Sequence, residues 1–432
     1  MKSANRLTTL PSLTSIAAIA LLAGSTPTRA AENITDALTG GKVSTNLQLR
    51  YENVAENNPL KNAKALTARL RLGYTTDTFK GFGAMVEAET LTALGNKNYD
   101  SKAAGQTANG YSVVADPEAT EINQAYLSYS GLPNITAKWG RQRIKLGNDR
   151  FIGNVGWRQN EQTFDAFTLV NKSLPDTTIT AGYITNVNRV FSDNAFGSAG
   201  NPNAGPFSGN HKMGSTILNA NYKGWGFAEI VGYAYLLDYD AMTGFTANST
   251  DTYGIRLKGS APIGGNKLLY TAELAQQSNA HGNATNYTAN YTLLEVGVDV
   301  TGVATFKVGY EVLGSGTGAA NTAFKTPLAT LHAFNGWADL FLITPSQGLE
   351  DAYVSAGTRL ADTNLEAIYH DFKADKSTPT INDLGKELDL VATYAFDKNY
   401  AVGLKYADYS PGDAAAIKVG TKKTWLWGEF KF

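Results

Sequence analysis

Hydrophobic and polar residues alternate with a period of two along most of the chain after residue 42. In the first such run, apolar and polar side chains fall on opposite faces: Val43, Thr45, Leu47, Leu49 and Tyr51 against Ser44, Asn46, Gln48, Arg50 and Glu52. Successive side chains of a β-strand point to opposite faces, so each run predicts a strand with one apolar and one polar face.

Runs of this kind recur to the C-terminus and predict 18 strands. They lie near 43–53, 64–76, 79–91, 119–130, 135–145, 163–171, 177–187, 214–223, 226–238, 251–261, 267–278, 288–300, 304–313, 351–360, 364–373, 385–396, 400–409 and 421–432. Alternation alone fits a soluble sandwich, with apolar faces packed together, as well as a barrel in lipid, with apolar faces outward.

The lengths of the connections favour the barrel. Short turns, such as 130–133, 223–226 and 301–303, alternate with long polar segments. The long segments are 92–119, 145–162, 188–213, 239–250, 279–287, 314–350 and 374–384. Outer-membrane barrels have short periplasmic turns, long extracellular loops and an even number of strands. Residues 43–432 are therefore predicted to form an all-β, transmembrane, antiparallel β-barrel of about 18 strands.

Both ends of the chain support export to the outer membrane. Residues 1–30 combine a basic start, a short apolar stretch and small residues before Ala31, which is typical of a cleaved signal peptide. Residues 31–42 would then form a short periplasmic segment. At the other end, Phe430 and Phe432 share one strand face and predict the signal that the outer-membrane barrel-assembly machinery recognises. The alternative is a soluble edge strand that ends in Phe.

Composition narrows the chemistry further. The chain has no cysteine, so neither a disulfide framework nor a thiolate metal site is available. Once the basic residues of the leader are removed, the 38 acidic side chains outnumber the basic ones, which disfavours a nucleic-acid partner. The many Gly and Tyr residues fit strands and turns bordered by aromatic belts.

Two segments resemble a known family. Residues 139–166 read WGRQRIKLGNDRFIGNVGWRQNEQTFDA, and residues 37–43 read ALTGGKV before RYE at 50–52. Both resemble the alginate-export family of outer-membrane porins. The resemblance implies a monomeric barrel of 18 strands, with an arginine-bearing channel that passes anionic or polar solutes. It does not identify the solute.

The loop 145–162 and its flanks hold the highest local positive charge in the chain. Such a loop can fold into the lumen, where guanidinium groups attract carboxylates and Trp157 could stack on sugar rings. Alternatively, its arginines pair with Asp149, Glu161 and Asp165 and brace the loop against the wall. Arg141 and Arg143 line the pore only if the register turns them inward. The predicted pore-lining residues are Arg50, Arg69, Arg71, Arg141, Arg143, Arg150, Trp157, Arg158, Glu87, Glu311 and Asp389.

Basic inward positions cluster early in the chain and acidic ones late, so one side of the pore is expected to be basic and the opposite side acidic. Glu87 and Glu89 are expected to neutralise part of the early positive charge across strands.

No motif for a cofactor, a metal or a nucleophile occurs, so no cofactor, metal or catalytic residue is predicted. An outer-membrane barrel enzyme of the lipase or protease type is the main alternative. Its only candidates are His211 near Ser208 and His281 near Ser278, each without an evident third partner. A polysaccharide exporter is a second alternative. The favoured hypothesis is a passive channel that is a monomer embedded in outer-membrane lipid and lipopolysaccharide.

Overall fold

A computed structural model describes residues 31–103, 110–193, 195 and 207–432. The predicted signal peptide, 1–30, lies outside the described residues. One short helix, α1 (Ile34–Thr39), precedes 18 strands. The strands are β1 (Lys42–Glu56), β2 (Ala63–Thr75), β3 (Phe82–Ala93), β4 (Ala119–Tyr129), β5 (Ile135–Gln142), β6 (Thr163–Asn171), β7 (Thr177–Asn188), β8 (Asn210–Trp225), β9 (Ala228–Leu237), β10 (Thr250–Ile263), β11 (Asn266–Asn279), β12 (Thr288–Val300), β13 (Ala304–Leu313), β14 (Leu349–Leu360), β15 (Thr363–Lys373), β16 (Asp383–Ala395), β17 (Tyr400–Ser410) and β18 (Thr421–Lys431).

The sheet is closed. Every strand pairs antiparallel with its neighbours in sequence, and β1 also pairs with β18, from Asn46 opposite Lys431 to Glu56 opposite Thr421. Closure satisfies the backbone of every strand without an exposed edge, as a lipid environment requires. The predicted 18-stranded antiparallel barrel is confirmed. Within the described residues, no helix has both the length and the apolar character needed to cross a bilayer.

The two faces of the wall differ in the predicted sense. Outward positions such as Leu294, Val308 and Leu426 are apolar and exposed, whereas inward positions such as Arg50 and Glu387 are polar and buried. Apolar side chains therefore point to lipid and polar side chains to the enclosed space.

The described N-terminal segment lies against the periplasmic end of the barrel. The Asn33 side chain accepts a hydrogen bond from the backbone N–H of Asp36 and so caps α1, and the Ala37 carbonyl accepts one from Asp77 in the turn between β2 and β3. At the opposite terminus, Leu426 and Phe432 are both exposed on the outer side of β18, the face that also includes Phe430. The role of Phe430 and Phe432 in assembly stays a prediction.

The extracellular half of the barrel contains an apolar cluster in addition to polar side chains. Phe151 and Ile152 from one loop pack with Phe324 and Leu328 from another and with Tyr291 on the inner wall. The lumen of this half is therefore filled by apolar as well as polar side chains. The inward loops bring apolar side chains that the alternation of the strands does not reveal.

Candidate pore constriction

Two long loops enter the lumen and join each other. Residues 143–162, between β5 and β6, form a parallel bridge with residues 314–348, between β13 and β14, at Ile152 and Leu328. The Gly153 N–H donates to the Leu328 carbonyl over 2.9 Å, and the Thr330 N–H donates to the Asp149 carbonyl over 2.9 Å. The backbones of the two loops are thus hydrogen-bonded into one unit.

The first loop crosses the lumen. It begins at β5, yet Arg150 contacts Glu311 on β13, eight strands away around the wall. In the same loop, Arg158 contacts Glu52 on β1. Since these strands belong to different parts of the wall, the loop must pass through the interior rather than along one side.

The buried side chain of Arg150 is held by hydrogen bonds to the wall and to the second loop. Its Nε donates to Glu311 Oε1 over 2.7 Å, its Nη2 donates to Asn335 Oδ1 over 3.0 Å, and the Tyr291 hydroxyl donates to Glu311 over 2.6 Å. Burial alone would lower the pKa of Arg150, but Glu311 and Tyr291 together outweigh burial and raise it. Arg150 and Glu311 therefore brace the first loop.

Arg158 and Asp339 form the centre of a second anchor. Arg158 Nη1 contacts Glu52 Oε2 at 3.0 Å, and Arg158 Nη2 contacts Asp339 Oδ2 at 3.1 Å. Lys423 Nζ and His332 Nδ1 reach Asp339 at 2.8 and 2.7 Å. Burial alone would raise the pKa of Asp339, but Lys423, His332 and Arg158 hold it well below its usual range. Arg50 pairs with Asp116 of a third loop beside this anchor.

Trp157 is enclosed rather than free. Its ring stacks on His332 with centroids 4.8 Å apart and planes inclined by 5°, and Trp425 and Trp427 pack edge-on at 5.7 and 5.3 Å. The Lys405 ammonium lies 3.9 Å from the ring centroid. A sugar cannot stack on Trp157 without displacing these neighbours.

The remaining inward arginines of the predicted set lie on β2 and just after β5. Arg69 donates to Asn46, Arg71 pairs with Glu89, and Arg143 contacts Glu87 and Glu161. These contacts confirm that Glu87 and Glu89 each meet an arginine. With 30% of its side chain accessible, Arg143 is more open than the other inward arginines of the predicted set.

Arg141 faces outward. It lies opposite Asp165 and pairs with it at 2.8 Å, on the face that carries the exposed Trp139 and Phe167. The next residue, Gln142, is buried and accepts a hydrogen bond from Thr168. The register therefore places Arg141 on the outer surface and not in the pore.

On the opposite wall, carboxylates hold the second loop. Asp389 accepts from the Trp337 N–H over 3.0 Å, and Glu387 accepts from the Ala338 N–H over 2.6 Å. Asn335 of the same loop donates to Glu311 over 2.6 Å. A transverse field was expected because basic residues lie on one side of the wall and acidic residues on the other. In the extracellular half, the two loops lie between these two sides and contact the charged residues of both.

The periplasmic half is open. A cavity of about 630 Å³ lies on the inner wall of β12 to β16, lined among others by Asp299, Thr305, Gly357, Glu366 and Thr393. Just above it, Lys307 reaches Glu295 at 3.3 Å with both side chains partly accessible. We call this space the periplasmic vestibule. The sequence pattern does not reveal this space, because its residues come together only once β12 to β16 curve into the wall.

The two candidate histidines of the enzyme alternative have different surroundings within the described residues. His211 Nε2 lies 2.7 Å from the Ser208 hydroxyl, but both residues are buried and His211 Nδ1 has no partner within the described residues. His281 lies 3.6 Å from Asp238 and 3.8 Å from Asp251. In the part of the chain that the structure describes, no group of His, Asp and Glu side chains is arranged to hold a metal ion.

Comparison with known proteins agrees with the fold and the resemblance. The family model for alginate export matches residues 42–312. Among solved structures, Acinetobacter baumannii OccAB2 is similar with a TM-score of 0.68 and 15% identity, covering 92% of this chain and 99% of that chain. Pseudomonas aeruginosa OpdK, solved with vanillate, has a TM-score of 0.66 and 13% identity, covering 90% and 98%. A search of curated proteins gave no match.

Proposed function

The chain belongs to the alginate export family, and from this premise we propose that it is a passive outer-membrane channel for small polar or anionic solutes. The observation that carries the proposal is the contrast inside one closed barrel: loops narrow the extracellular half, and an open, polar vestibule follows in the periplasmic half. Pore width and the charges at the narrowest point set the selectivity of such a channel.

Small anions fit better than a polymer. Two hydrogen-bonded loops cross the lumen, so we propose that uronates or short oligosaccharides pass and that a long polysaccharide does not. Arg143 is the most accessible inward arginine of the predicted set, and its positive charge can attract an anion although Glu87 and Glu161 already contact its Nη2. The solved OpdK complex with vanillate, an aromatic carboxylate, is consistent with an anionic solute.

Arg143 and Arg141 allow a matched test, because they have the same side chain and lie two residues apart but on opposite sides of the wall. In planar bilayers with a salt gradient, we expect Arg143→Ala to shift the reversal potential toward lower anion preference. We expect Arg141→Ala to leave it unchanged. Equal reversal potentials for wild type and Arg143→Ala would remove Arg143 from the mechanism.

Solute size and charge can be tested in proteoliposomes. We expect faster osmotic swelling in glucuronate than in a neutral sugar of equal size, and none above protein-free liposomes in long alginate chains. Absence of channel activity in both assays would contradict the proposal. The enzyme alternative predicts turnover of phospholipid or peptide by the folded barrel, which we do not expect because Ser208 and His211 are buried.

We further propose that the barrel is a monomer in outer-membrane lipid and that Phe430 and Phe432 direct its assembly. Monomer state can be measured by light scattering in detergent. Phe432→Ala should reduce the amount of folded barrel in the outer membrane, and the exposed Phe396, on a periplasmic turn, offers a control substitution.

A further inference from the structure

Resting on the proposed channel function, we propose that Lys405 is a positioning residue that clamps both lumen loops to the wall and so sets the width of the constriction. Lys405 lies on β17 and points into the barrel, where its side chain is buried. It belongs to neither of the two loops that it touches.

The ammonium group of Lys405 is held by aromatic rings. It lies 3.9 Å from the ring centroid of Trp157 in the first loop and 3.9 Å from that of Trp337 in the second. Its third neighbour is His332 Nε2, also in the second loop, at 3.2 Å. One wall cation thus contacts an aromatic side chain from each loop.

The hydrogen bonds of His332 fit this arrangement. Burial lowers the pKa of His332 to about 3, so the ring is neutral at neutral pH. A neutral ring whose Nδ1–H donates to Asp339 leaves Nε2 free to accept a hydrogen bond from the Lys405 ammonium. Stacking of the same ring on Trp157 joins the two loops around the lysine.

The environment of Lys405 is unusual for a buried cation. Within the described residues, no carboxylate oxygen lies within 4.0 Å of its ammonium group, although Asp339 and Asp389 belong to the surrounding loop and wall. A buried charge without a carboxylate partner must be stabilised by other groups, and desolvation strengthens the attraction between a cation and an aromatic face. The two indoles therefore stabilise the cation together with His332 and the more distant carboxylates of Asp339 and Asp389, and both indoles are held by the cation.

Lys307 provides a matched control. It is also an inward lysine of the wall, but it pairs with Glu295 in the periplasmic half and makes no cation–π contact within the described residues. Removing Lys307 takes one positive charge from the lumen without touching either loop, so it separates an effect of charge from an effect of loop position.

The test has two readouts. We expect Lys405→Met to raise the mean single-channel conductance severalfold and to add transitions between levels, whereas Lys405→Arg and Lys307→Met should stay close to wild type. Trp337→Leu removes the contact from the loop side and should act in the same direction. If the wild type conducts and the folded Lys405→Met barrel shows the same conductance, the inference is overturned.

The second readout does not require conduction. Since the chain has no cysteine, Ala338→Cys, at a buried position of the second loop, introduces a single thiol. A membrane-impermeant maleimide should label it slowly in an otherwise wild-type barrel and at least tenfold faster with Lys405→Met, but not with Lys307→Met. Equal labelling rates would overturn the clamp even if the channel proposal holds. If the wild-type barrel does not conduct but Lys405→Met still speeds labelling, only the channel proposal is contradicted.

Discussion

The two halves of the lumen contain the same kinds of charged residue in different environments. In the extracellular half, Arg150 and Glu311 are almost fully buried, with 2% and 6% of their side chains accessible. In the periplasmic half, Lys307 and Glu295 form a similar pair with 35% and 19% accessible. Burial decides their roles, because the first pair anchors a loop and the second remains available to solvent and solute.

The difference has an energetic basis. Removing one partner of a buried ion pair leaves an uncompensated charge in a poorly solvated site, whereas an exposed pair is screened by water and salt. A substitution in the extracellular half should therefore change stability and loop position. A substitution in the periplasmic half should change permeation with little effect on stability.

The largest expected effect is on Arg150. Arg150→Ala leaves Glu311 buried without its cation and should lower the free energy of unfolding by about 3–5 kcal/mol. Urea unfolding of the refolded barrel in detergent micelles measures this. The matched change Lys307→Ala should cost less than about 1 kcal/mol. Similar losses for both variants would contradict the contrast between the halves.

A smaller effect should appear with pH. The folded barrel holds the pKa of His332 near 3, and the unfolded chain titrates near the ordinary value of about 6.5. The unfolded state therefore binds more protons between these values, and stability should fall as pH drops from 6.5 toward 3. Melting temperatures at pH 8, 6.5, 5 and 4 test this. His332→Gln should flatten the decline, and an unchanged slope would exclude His332 as its source.

Filling the periplasmic vestibule should reduce permeation without loss of stability. A Cβ at Gly357 would meet only the Leu365 carbonyl oxygen, at 3.7 Å, so Gly357→Leu can extend into the open space. We expect a partial decrease in conductance and a change in unfolding free energy below about 0.5 kcal/mol. Full wild-type conductance would show that the vestibule is not on the path.

The smallest effect should follow from Glu366→Gln, which removes one carboxylate from the vestibule wall. Water and salt screen this charge, so the reversal potential should move slightly toward anion preference. The shift should shrink as ionic strength rises. A shift larger than that of Arg143→Ala would mean that the vestibule, and not the loops, controls selectivity.

Much of the wall could be predicted from the sequence. All 18 strands occur where alternation places them, and β6, β12 and β13 match to the residue. The turns and long loops also alternate as expected. The prediction succeeds because the period of two is a local property of a strand between lipid and a polar interior.

The site could be predicted only in part. The density of arginine indicated that the first loop is part of the site. Two hypotheses were open for these arginines, contact with the solute and bracing of the loop against the wall. Of the partners expected for bracing, Glu161 pairs with Arg143, Asp165 with Arg141 and Asp149 with Lys145. Arg150 and Arg158 instead pair with Glu311, Glu52 and Asp339. Arg141 was assigned to the pore on the same signal, although the register turns it outward. Alternation with Leu404 and Tyr406 places Lys405 on the inward face of its strand, but nothing near it in sequence indicates two tryptophans around it.

By itself, the sequence determined the number of strands, the face of most side chains along them and the side of the membrane on which each connection lies. These properties depend on neighbours one or two positions apart. Only the tertiary structure decided which loops enter the lumen, which charges they bury and which half stays open. Those outcomes depend on residues more than a hundred positions apart, such as Arg150 and Glu311, which meet only after the barrel closes.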